Sequence, residues 1–455
     1  MEADFHIQDF SHLTDVLGSL QMIKRYSLIS LFFTTPGDSS PESITDGLND
    51  ALRKLAQAFP YLAGRVVYDG RDDAHTGIRK IVPHEGVIPL LVKDFCTDAD
   101  VASMEDMVAA RFPMRMLDPQ RIVPPIAMTW ATDNFDKYAP VLILQANIIR
   151  GGLILTIAGN HATMDMTGLG IVISFIAKAC GREPFTDEEI EEGNQDRRNV
   201  VPLLDDSYQP GSELDDSLIK PPPPDAPPMT IPPAKWVYLN FPSSPLPKLK
   251  TAASDQSVVP YISTDDAISA LLWQRITHAR ATLHPTLHPF ASQLCRTVSL
   301  RSFLKLKGYI GHLVDCVYAR LPDVHNLPLG EIAGRLRLQL RDEAKIVQHM
   351  RAYATALHRL DDKTQIVNGA QLNPNVDVVV SSYANLKCSE LDFGAELGGN
   401  PVAARRPRMD AWPSLLYIMP RDRNGETAVA VCLPEEELEV LKRDEVLAKF
   451  AAFTE

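Results

Sequence analysis

The stretch LILTIAGNHATMDMTGLG, from Leu153 to Gly170, joins a strand-like run to a helix-like run through a short polar junction. The run LILTIAGN is mostly apolar, which predicts a buried strand. Asp165 stands directly before MTGLGIVISFIAKAC, where apolar residues recur at helical spacing, so it is placed to cap a helix. His161 lies at the other end of the junction. The pair therefore straddles a strand-to-helix turn and does not share a helical face.

Three interpretations of His161 and Asp165 compete. A metal clamp needs both side chains on one helical face and further ligands, so the junction disfavours it and we predict no metal site. The plainest interpretation is a helix cap beside an ordinary histidine, and the spacing alone favours it. The third makes His161 a general base, because imidazole accepts protons near neutral pH, with Asp165 holding the loop through an arginine elsewhere.

The segments around this junction alternate between strand-like and helix-like patterns. YSLISLFFT reads as a buried strand, and SITDGLNDALRKLAQAF as a helix that stops at Pro60. Arg150-Gly151-Gly152 predicts a tight hairpin, since glycine supplies the positive φ angles such a turn requires. Gly181 is placed to end the helix that begins after Asp165.

The composition changes in the middle of the chain. Residues 183–233 are acidic and rich in proline, ending in IKPPPPDAPPMTIPP, which is typical of a semi-extended linker. We therefore predict an N-terminal domain at 1–205, a linker at 206–233 and a C-terminal domain at 234–455. Mixed strands and helices on both sides predict an α/β fold with two layered domains.

The second half carries its own series of elements. KWVYLNFP, RTVSLRSFL and DVVVSSYANL read as strands, and ISTDDAISALLWQRITHARA as a helix capped by Ser263 or Thr264. SLLYIMPRDRNGETAVAVCL predicts a hairpin turned at Asn424-Gly425. EEELEVLKRDEVLAKFAAF predicts a closing amphipathic helix.

Bulk properties narrow the function classes. The 455 residues hold 45 Lys and Arg against 58 Asp and Glu, a net charge of −13, which argues against nucleic-acid or anionic-membrane partners. The six cysteines are scattered with no CxxC pair, so a zinc or redox site has little support. The start, MEADFHIQDFSH, lacks a signal-peptide pattern, and the longest apolar runs are too short to span a bilayer. We expect a soluble, cytoplasmic monomer.

NHATMDMTG resembles the His-x-x-x-Asp motif of the BAHD acyltransferase family, in particular its fungal, trichothecene 3-O-acetyltransferase-like branch. The resemblance runs along the chain in the family's order. It is carried by FPYLAGRV, ISTDDAISALLWQRITHAR, VSLRSFLKLKGYIGH, ELDFGAELGGNPVAARRP and YIMPRDRNGETAVAVCL.

The resemblance implies two chloramphenicol-acetyltransferase-like domains, with mixed sheets flanked by helices and an active-site channel between them. It implies acyl-CoA-dependent O-acylation of a hydroxyl on a fungal secondary metabolite, with His161 as the general base. Acyl-CoA, with acetyl-CoA preferred, is then a co-substrate entering from one face, the small-molecule alcohol enters from the other, and no cofactor is permanently bound. Asp165 is implied to turn away from the substrates and pair with Arg301.

Further residues follow from the same resemblance. Asp392 and Gly394 fall in a structural motif distant from the base. Ser381, Ser382 and Tyr383 face the donor tunnel or are ordinary strand residues. Lys250, like Lys248, is a candidate to bind the phosphates of CoA. The plainer alternative is that both lysines lie in a solvated loop.

Two motif positions depart from the family pattern. Ala395-Glu396 replaces the expected Trp-Gly, and Tyr309-Ile310-Gly311-His312 replaces Tyr-Phe-Gly-Asn. His312 is therefore the candidate donor to an oxyanion, or it only packs. These departures keep open a non-acylating binder or cyclisation template, since fold alone does not fix function. A carrier-protein-dependent condensation enzyme, which shares the fold, is the third alternative.

Overall fold

Two large sheets and a small ribbon form the frame of the molecule. The computed structural model describes residues 9–37, 40–128, 138–221, 229–285 and 291–454. In chain order its strands are β1 (Tyr26–Thr34), β2 (Arg65–Asp69), β3 (Ile78–Val82), β4 (Leu90–Asp94), β5 (Leu142–Ile149), β6 (Gly152–Asn160), β7 (Ala234–Phe241), β8 (Ala291–Ser299), β9 (Val314–Pro322), β10 (Val378–Ser382), β11 (Ala403–Arg405), β12 (Leu415–Ile418), β13 (Thr427–Pro434) and β14 (Ala452–Thr454).

Helices cover the sheets. They are α1 (Pro41–Ala58), α2 (Met104–Ala109), α3 (Pro119–Ile122), α4 (Met166–Cys180), α5 (Asp187–Gly193), α6 (Leu246–Ser254), α7 (Thr264–Leu283), α8 (Leu329–Gln339), α9 (Glu343–Arg359) and α10 (Glu435–Lys442). Among the described residues, no helix combines the length and the hydropathy that crossing a bilayer requires.

The first sheet has five strands in the order β11-β1-β6-β5-β4. Strands β5 and β6 are buried along their whole length, as their apolar sequences predicted. Their hairpin is also confirmed, but only Gly151 takes a positive φ (73°), while Gly152 already pairs with Ile149 in the ladder.

The second sheet has seven strands in the order β14-β7-β13-β12-β10-β8-β9, and it is mixed. Strand β10 runs parallel to β8 and β12, whereas the other neighbours are antiparallel. The predicted hairpin between β12 and β13 is confirmed, with Gly425 at φ 77° in its turn. The predicted α/β class with mixed sheets and flanking helices is therefore confirmed.

Strand β11 comes from the second half of the chain but belongs to the first sheet. It pairs antiparallel with β1, with Ala404 opposite Leu31. Part of the predicted linker also packs, since Leu214 is fully buried and Leu218 bridges to Ile366. Strand β11 and the packed part of the predicted linker therefore both connect the two halves. The domain limits 1–205, 206–233 and 234–455 remain a prediction.

Helix α4 begins and ends close to where the sequence predicted. Asp165 caps it by accepting from the Gly168 N–H at 2.8 Å. Gly181 has a right-handed φ of −71°, and the left-handed residue is Arg182, at φ 61°. The helix therefore ends in the left-handed turn one residue later than the glycine suggested.

The predicted closing helix is wrong in its second half. Helix α10 stops at Lys442, because the Asp444 carboxylate accepts from the N–H groups of Val446 and Leu447 and starts a new turn. The chain then forms β14, which pairs with β7 and places Phe453 against the core of the second sheet.

Candidate active site

A cavity of about 1420 Å³ lies between the two sheets and contains the candidate base. The first half contributes Tyr26 and His161 to its wall, and the second half contributes Arg296, Ser381 and Tyr417. The channel predicted between the two halves is therefore present, and neither half encloses it alone.

His161 follows β6 directly and is only partly exposed, toward the cavity. Its backbone N–H donates to the Arg25 carbonyl at 2.9 Å, which fixes the loop against the start of β1. The ring Nδ1 lies 3.4 Å from the Met164 carbonyl oxygen. A carbonyl oxygen only accepts, so this contact favours the proton on Nδ1 and leaves a lone pair on Nε2. Burial, the proximity of His312 and the Arg25 charge lower the pKa of His161 well below its ordinary value.

Asp165 is fully buried, and its carboxylate makes structural contacts. One oxygen caps α4, and the other accepts from the Leu313 N–H and from Arg301 Nη1, both at 2.8 Å. Burial opposes the charge of Asp165, but the Arg301 ion pair and these hydrogen bonds outweigh it and hold the pKa below its ordinary value. The carboxylate is therefore charged and turned away from His161.

Arg301 completes that junction from the other half of the chain. It lies in the turn just after β8, since the predicted strand RTVSLRSFL ends at Ser299. Its Nε donates to the Tyr309 carbonyl and its Nη2 to the Gly311 carbonyl, each at 2.8 Å. The ion pair that the resemblance implied is present, and it ties the start of α4 to the segment leading to His312.

His312 stands beside the candidate base. The two rings have centroids 5.0 Å apart, and His312 Nδ1 lies 3.0 Å from the His161 carbonyl oxygen. Burial lowers the pKa of His312 to about 4. A neutral ring that donates from Nδ1 has no proton on Nε2, so the geometry argues against His312 as an oxyanion donor. Its observed contact supports the loop of His161 instead.

A buried ionic cluster behind the two histidines was not predicted. Asp15 accepts from the Tyr309 hydroxyl, from the His312 N–H at 3.2 Å and from Arg197 at 3.3 Å. Arg197 also donates to the Thr163 carbonyl at 2.8 Å. Burial, which outweighs the nearby Arg197 charge, raises the pKa of Asp15 to about 6. Asp15 and Arg197 are 182 positions apart, so no local pattern could have joined them.

Ser381, Ser382 and Tyr383 line the cavity at the end of β10. The Thr297 hydroxyl donates to Ser381 at 3.1 Å, and Ser382 donates to the Asp265 carboxylate. Ser382 is therefore held by the first turn of α7.

Lys248 and Lys250 do not line the cavity. They lie on α6, where Lys248 is exposed and the Lys250 ammonium sits 5.1 Å from the centroid of the Tyr261 ring. A role for either lysine in binding CoA would need a ligand that extends beyond the cavity.

Asp392 and Gly394 also lie outside the cavity, in a turn against the end of α4. Asp392 accepts from the Gly394 N–H at 2.8 Å. Gly394 has a φ of 82°, and a β-carbon there would lie 3.1 Å from the Cys180 carbonyl oxygen. Their contacts are structural. Across the described ranges, no three His, Cys, Asp or Glu side chains come together as ligands for a metal ion.

Known proteins share this architecture and this order of motifs. A family model for the trichothecene 3-O-acetyltransferase-like N-terminal domain matches residues 25–180, which include His161 and Asp165. An O-acetyltransferase of Cryptosporiopsis sp. (strain 8999) is 39% identical over 450 residues, covering 96% of this chain and 97% of that protein. The chain belongs to the fungal, trichothecene 3-O-acetyltransferase-like branch of the BAHD acyltransferases.

Two further members agree with that assignment. The trichothecene 3-O-acetyltransferase TRI101 of Fusarium sporotrichioides is 37% identical over 456 residues, covering 98% of each chain. The crystal structure of F. graminearum TRI101 complexed with coenzyme A and T-2 mycotoxin superposes with a TM-score of 0.91 at 33% identity, covering 97% of this chain and 99% of that one. As a member of this family, the chain is an O-acyltransferase.

Proposed function

We propose that this protein transfers an acetyl group from acetyl-CoA to a hydroxyl of a small, largely apolar fungal metabolite, with His161 as the general base. The observation that carries the proposal is a neutral His161 in the wall of a channel built by both halves of the chain. A relative with coenzyme A and T-2 mycotoxin bound together supports a site for two small substrates.

The proposed reaction needs one base that acts twice. His161 Nε2 removes the proton from the acceptor hydroxyl as its oxygen attacks the thioester carbonyl. The tetrahedral intermediate then collapses, the C–S bond breaks, and the imidazolium returns the proton to the leaving CoA thiolate. A positioned base of this kind contributes roughly 10²–10⁴-fold, and alignment of the two substrates in the channel supplies a further part.

The surroundings of His161 fit that cycle. The Met164 carbonyl favours the tautomer with a free Nε2, and it would also stabilise the charge on the imidazolium during the reaction. Asp165 is committed to Arg301 and the α4 cap, so it supports the loop and does not orient the imidazole.

Apolar side chains at the edge of the channel support an apolar acceptor. Ile219, Met229, Ile231 and Trp412 all line the cavity, and each is more than half exposed at 54%, 58%, 57% and 52%. Exposed apolar surface of this kind marks a binding region, because isolated soluble proteins otherwise limit it. The acceptor we propose is large enough to extend from His161 to this rim.

The same proposal extends to the setting of the enzyme. Both substrates are small and diffusible, and one chain builds the whole channel, which supports a cytoplasmic monomer that needs no membrane. The net charge of −13 disfavours polyanionic partners such as nucleic acids.

His161→Ala tests the base. With acetyl-CoA and 2-naphthol as probe substrates, we expect the release of CoA thiol and of acetylated product to fall by about 10²-fold or more. His358→Ala is the matched control, because His358 is an exposed residue of α9 outside the cavity. Near-normal turnover by a folded His161→Ala protein would exclude the proposed base. Transfer from an acyl-loaded carrier protein but not from free acetyl-CoA would replace the proposed donor.

A further inference from the structure

Arg406 is a buried arginine in the wall of the channel, directly after β11. Its side chain lines the cavity and the residue is only 8% exposed. The Arg406 N–H donates to the Tyr238 hydroxyl oxygen, and that hydroxyl donates to the Arg406 carbonyl, both at 2.8 Å. Because Tyr238 is fully buried, the backbone of Arg406 is fixed and its side chain is directed from a rigid point.

The guanidinium of Arg406 has no acceptor among the residues that the structure describes. Its carbon lies 4.5 Å from the centroid of the Tyr417 ring, but within the described part of the chain no carboxylate or carbonyl oxygen accepts from it, and its buried Nε has no partner. The buried arginines Arg280, Arg296 and Arg301 each form an ion pair with a carboxylate. A buried charge without an ionic partner destabilises a fold.

Arg406 lies in the same chamber as the candidate base. Arg406 lies over the ring of Tyr417. The centroid of that ring is 5.3 Å from the centroid of the Tyr383 ring. Burial raises the pKa of Tyr383, and the charges of Arg406 and Arg25 both oppose that rise. Arg25 in turn holds the backbone of His161. Arg406 and His161 line the same cavity, so a substrate that reaches His161 has access to Arg406.

The chemistry of the guanidinium selects a planar anion. Two parallel N–H groups of arginine match the two oxygens of a carboxylate, and the flat guanidinium stacks on an aromatic ring while it does so. Tyr417 provides that ring, and Trp236 also stacks on Tyr417, with 5.6 Å between the ring centroids. The orientation is thus set before a ligand arrives.

We propose that Arg406 binds a carboxylate of a substrate in the channel, so that the enzyme selects a substrate with a free carboxyl group besides its reacting group. This inference rests on the proposed acyl transfer. The carboxylate has two sources, the acceptor alcohol or a dicarboxylic acyl group on CoA such as malonyl. The chemistry at Arg406 is the same in both cases, and the substrates chosen below distinguish them.

The acceptor is tested with 6-hydroxy-2-naphthoate and its methyl ester, which differ only in the charged group. With acetyl-CoA as donor, we expect the wild-type kcat/KM to favour the acid by about 10- to 100-fold, as a charge-assisted pair contributes. Arg406→Gln abolishes this preference, and Arg406→Lys keeps part of it because the charge remains. This result assigns the carboxylate to the acceptor.

The donor is tested with malonyl-CoA against acetyl-CoA, using the methyl ester as acceptor. A wild-type preference for malonyl-CoA that disappears in Arg406→Gln assigns the carboxylate to the acyl group. Absence of an Arg406-dependent preference in both comparisons overturns the proposal.

Arg405→Gln is the matched control. Arg405 is the neighbouring buried arginine, with an equally unpartnered Nε, but it packs against Phe112 and Tyr238 outside the cavity. We expect it to lower the thermal stability while the acid-to-ester ratio stays that of the wild type. A parallel loss of the ratio in Arg405→Gln would assign the effect to packing and reject the site.

Calorimetric binding of 2-naphthoate and methyl 2-naphthoate separates this inference from the proposed function. The acid is expected to bind the wild-type protein at least ten times more tightly than the ester, and Arg406→Gln to remove the difference, even if no acyl transfer occurs. Equal binding of acid and ester by the folded wild-type protein, together with no Arg406-dependent preference for malonyl-CoA, would overturn the site while leaving the acyltransferase assignment intact.

Discussion

At the scale of single residues, the active site depends on which nitrogen of each histidine carries the proton. His161 and His312 both place Nδ1 beside a backbone carbonyl, and both rings are neutral because burial lowers their pKa. His161 has its free Nε2 in the channel wall, whereas the Nδ1 proton of His312 is used to hold the His161 backbone. Two adjacent histidines therefore have different tasks.

His312→Asn tests this division through the pH dependence of kcat/KM. The lowered pKa keeps wild-type His161 unprotonated as the pH falls past 6.5, so activity is lost only at lower pH, as His161 itself takes up a proton. His312 is one cause of the lowered pKa of His161, so its removal moves the acid limb of the pH profile to higher pH. Burial is the larger cause and keeps that limb below pH 6.5. The side-chain amide of Asn retains a donor for the His161 carbonyl, so we expect activity within about tenfold of wild type. An acid limb that stays where it is in the wild-type protein would show that His312 does not lower the pKa of His161.

At the candidate site, only residues that lie in recognisable sequence motifs could be predicted. His161, Asp165 and Arg301 each stand in a recognisable stretch, and the structure brings all three to one junction. Asp15 and Arg406 carry no such local pattern, because their environments are assembled from segments far apart in the chain. Whether an arginine is buried and unpaired is a property of the fold, which no spacing reveals.

At the scale of secondary-structure elements, the first turn of α4 is a point of close approach between the two halves of the chain. A β-carbon on Gly168 would lie 1.9 Å from the Ile310 carbonyl oxygen, and the Leu313 N–H already donates to Asp165. The helix can approach this segment only because position 168 has no side chain. The approach in turn brings His312 next to His161.

Gly168→Ala therefore separates local helix preference from this contact. Alanine normally stabilises a helix interior by roughly 0.5–1 kcal/mol relative to glycine. Here we expect a loss of about 1–3 kcal/mol in the free energy of unfolding by urea, because backbone must move, together with reduced turnover. Gly170→Ala in the same helix is the control, since its β-carbon would meet only the tip of the Leu386 side chain, at 2.4 Å. Equal stability of the two variants would show that the junction adapts without cost.

Elements with a strong local signal could be predicted, and those decided by distant partners could not. Helix α7 begins where its capping residues indicate, with Ser263 accepting from the Asp266 N–H at 3.1 Å. The last helix was predicted too long because residues 443–453 have helical periodicity, but Asp444 starts a new turn and β7 offers an edge for β14. A free sheet edge is visible only once the sheet exists.

At the scale of the whole molecule, the active site cannot form from one half. The cavity takes His161, the proposed base, from the first half and much of its wall from the second, and β11 crosses back to complete the first sheet. Phe393 of the crossing segment is fully buried and packs edge-on against Phe33 of β1, with ring centroids 5.0 Å apart. Residues of both halves therefore share one hydrophobic cluster, while the second sheet and its helices have a further cluster of their own.

Separate expression of the halves tests this interdependence. Residues 1–233 alone leave the β1 edge without β11 and expose Phe33, which is the kind of edge that aggregates. We expect this fragment to show no cooperative unfolding transition in calorimetry and to bind a dye for apolar surface. Co-expression with 234–455 should give a one-to-one complex that regains the transition and releases thiol from acetyl-CoA in the presence of the probe acceptor. If the fragment 1–233 unfolded cooperatively by itself, β11 would be an accessory to the first sheet, and the channel would be a junction between independently folded domains.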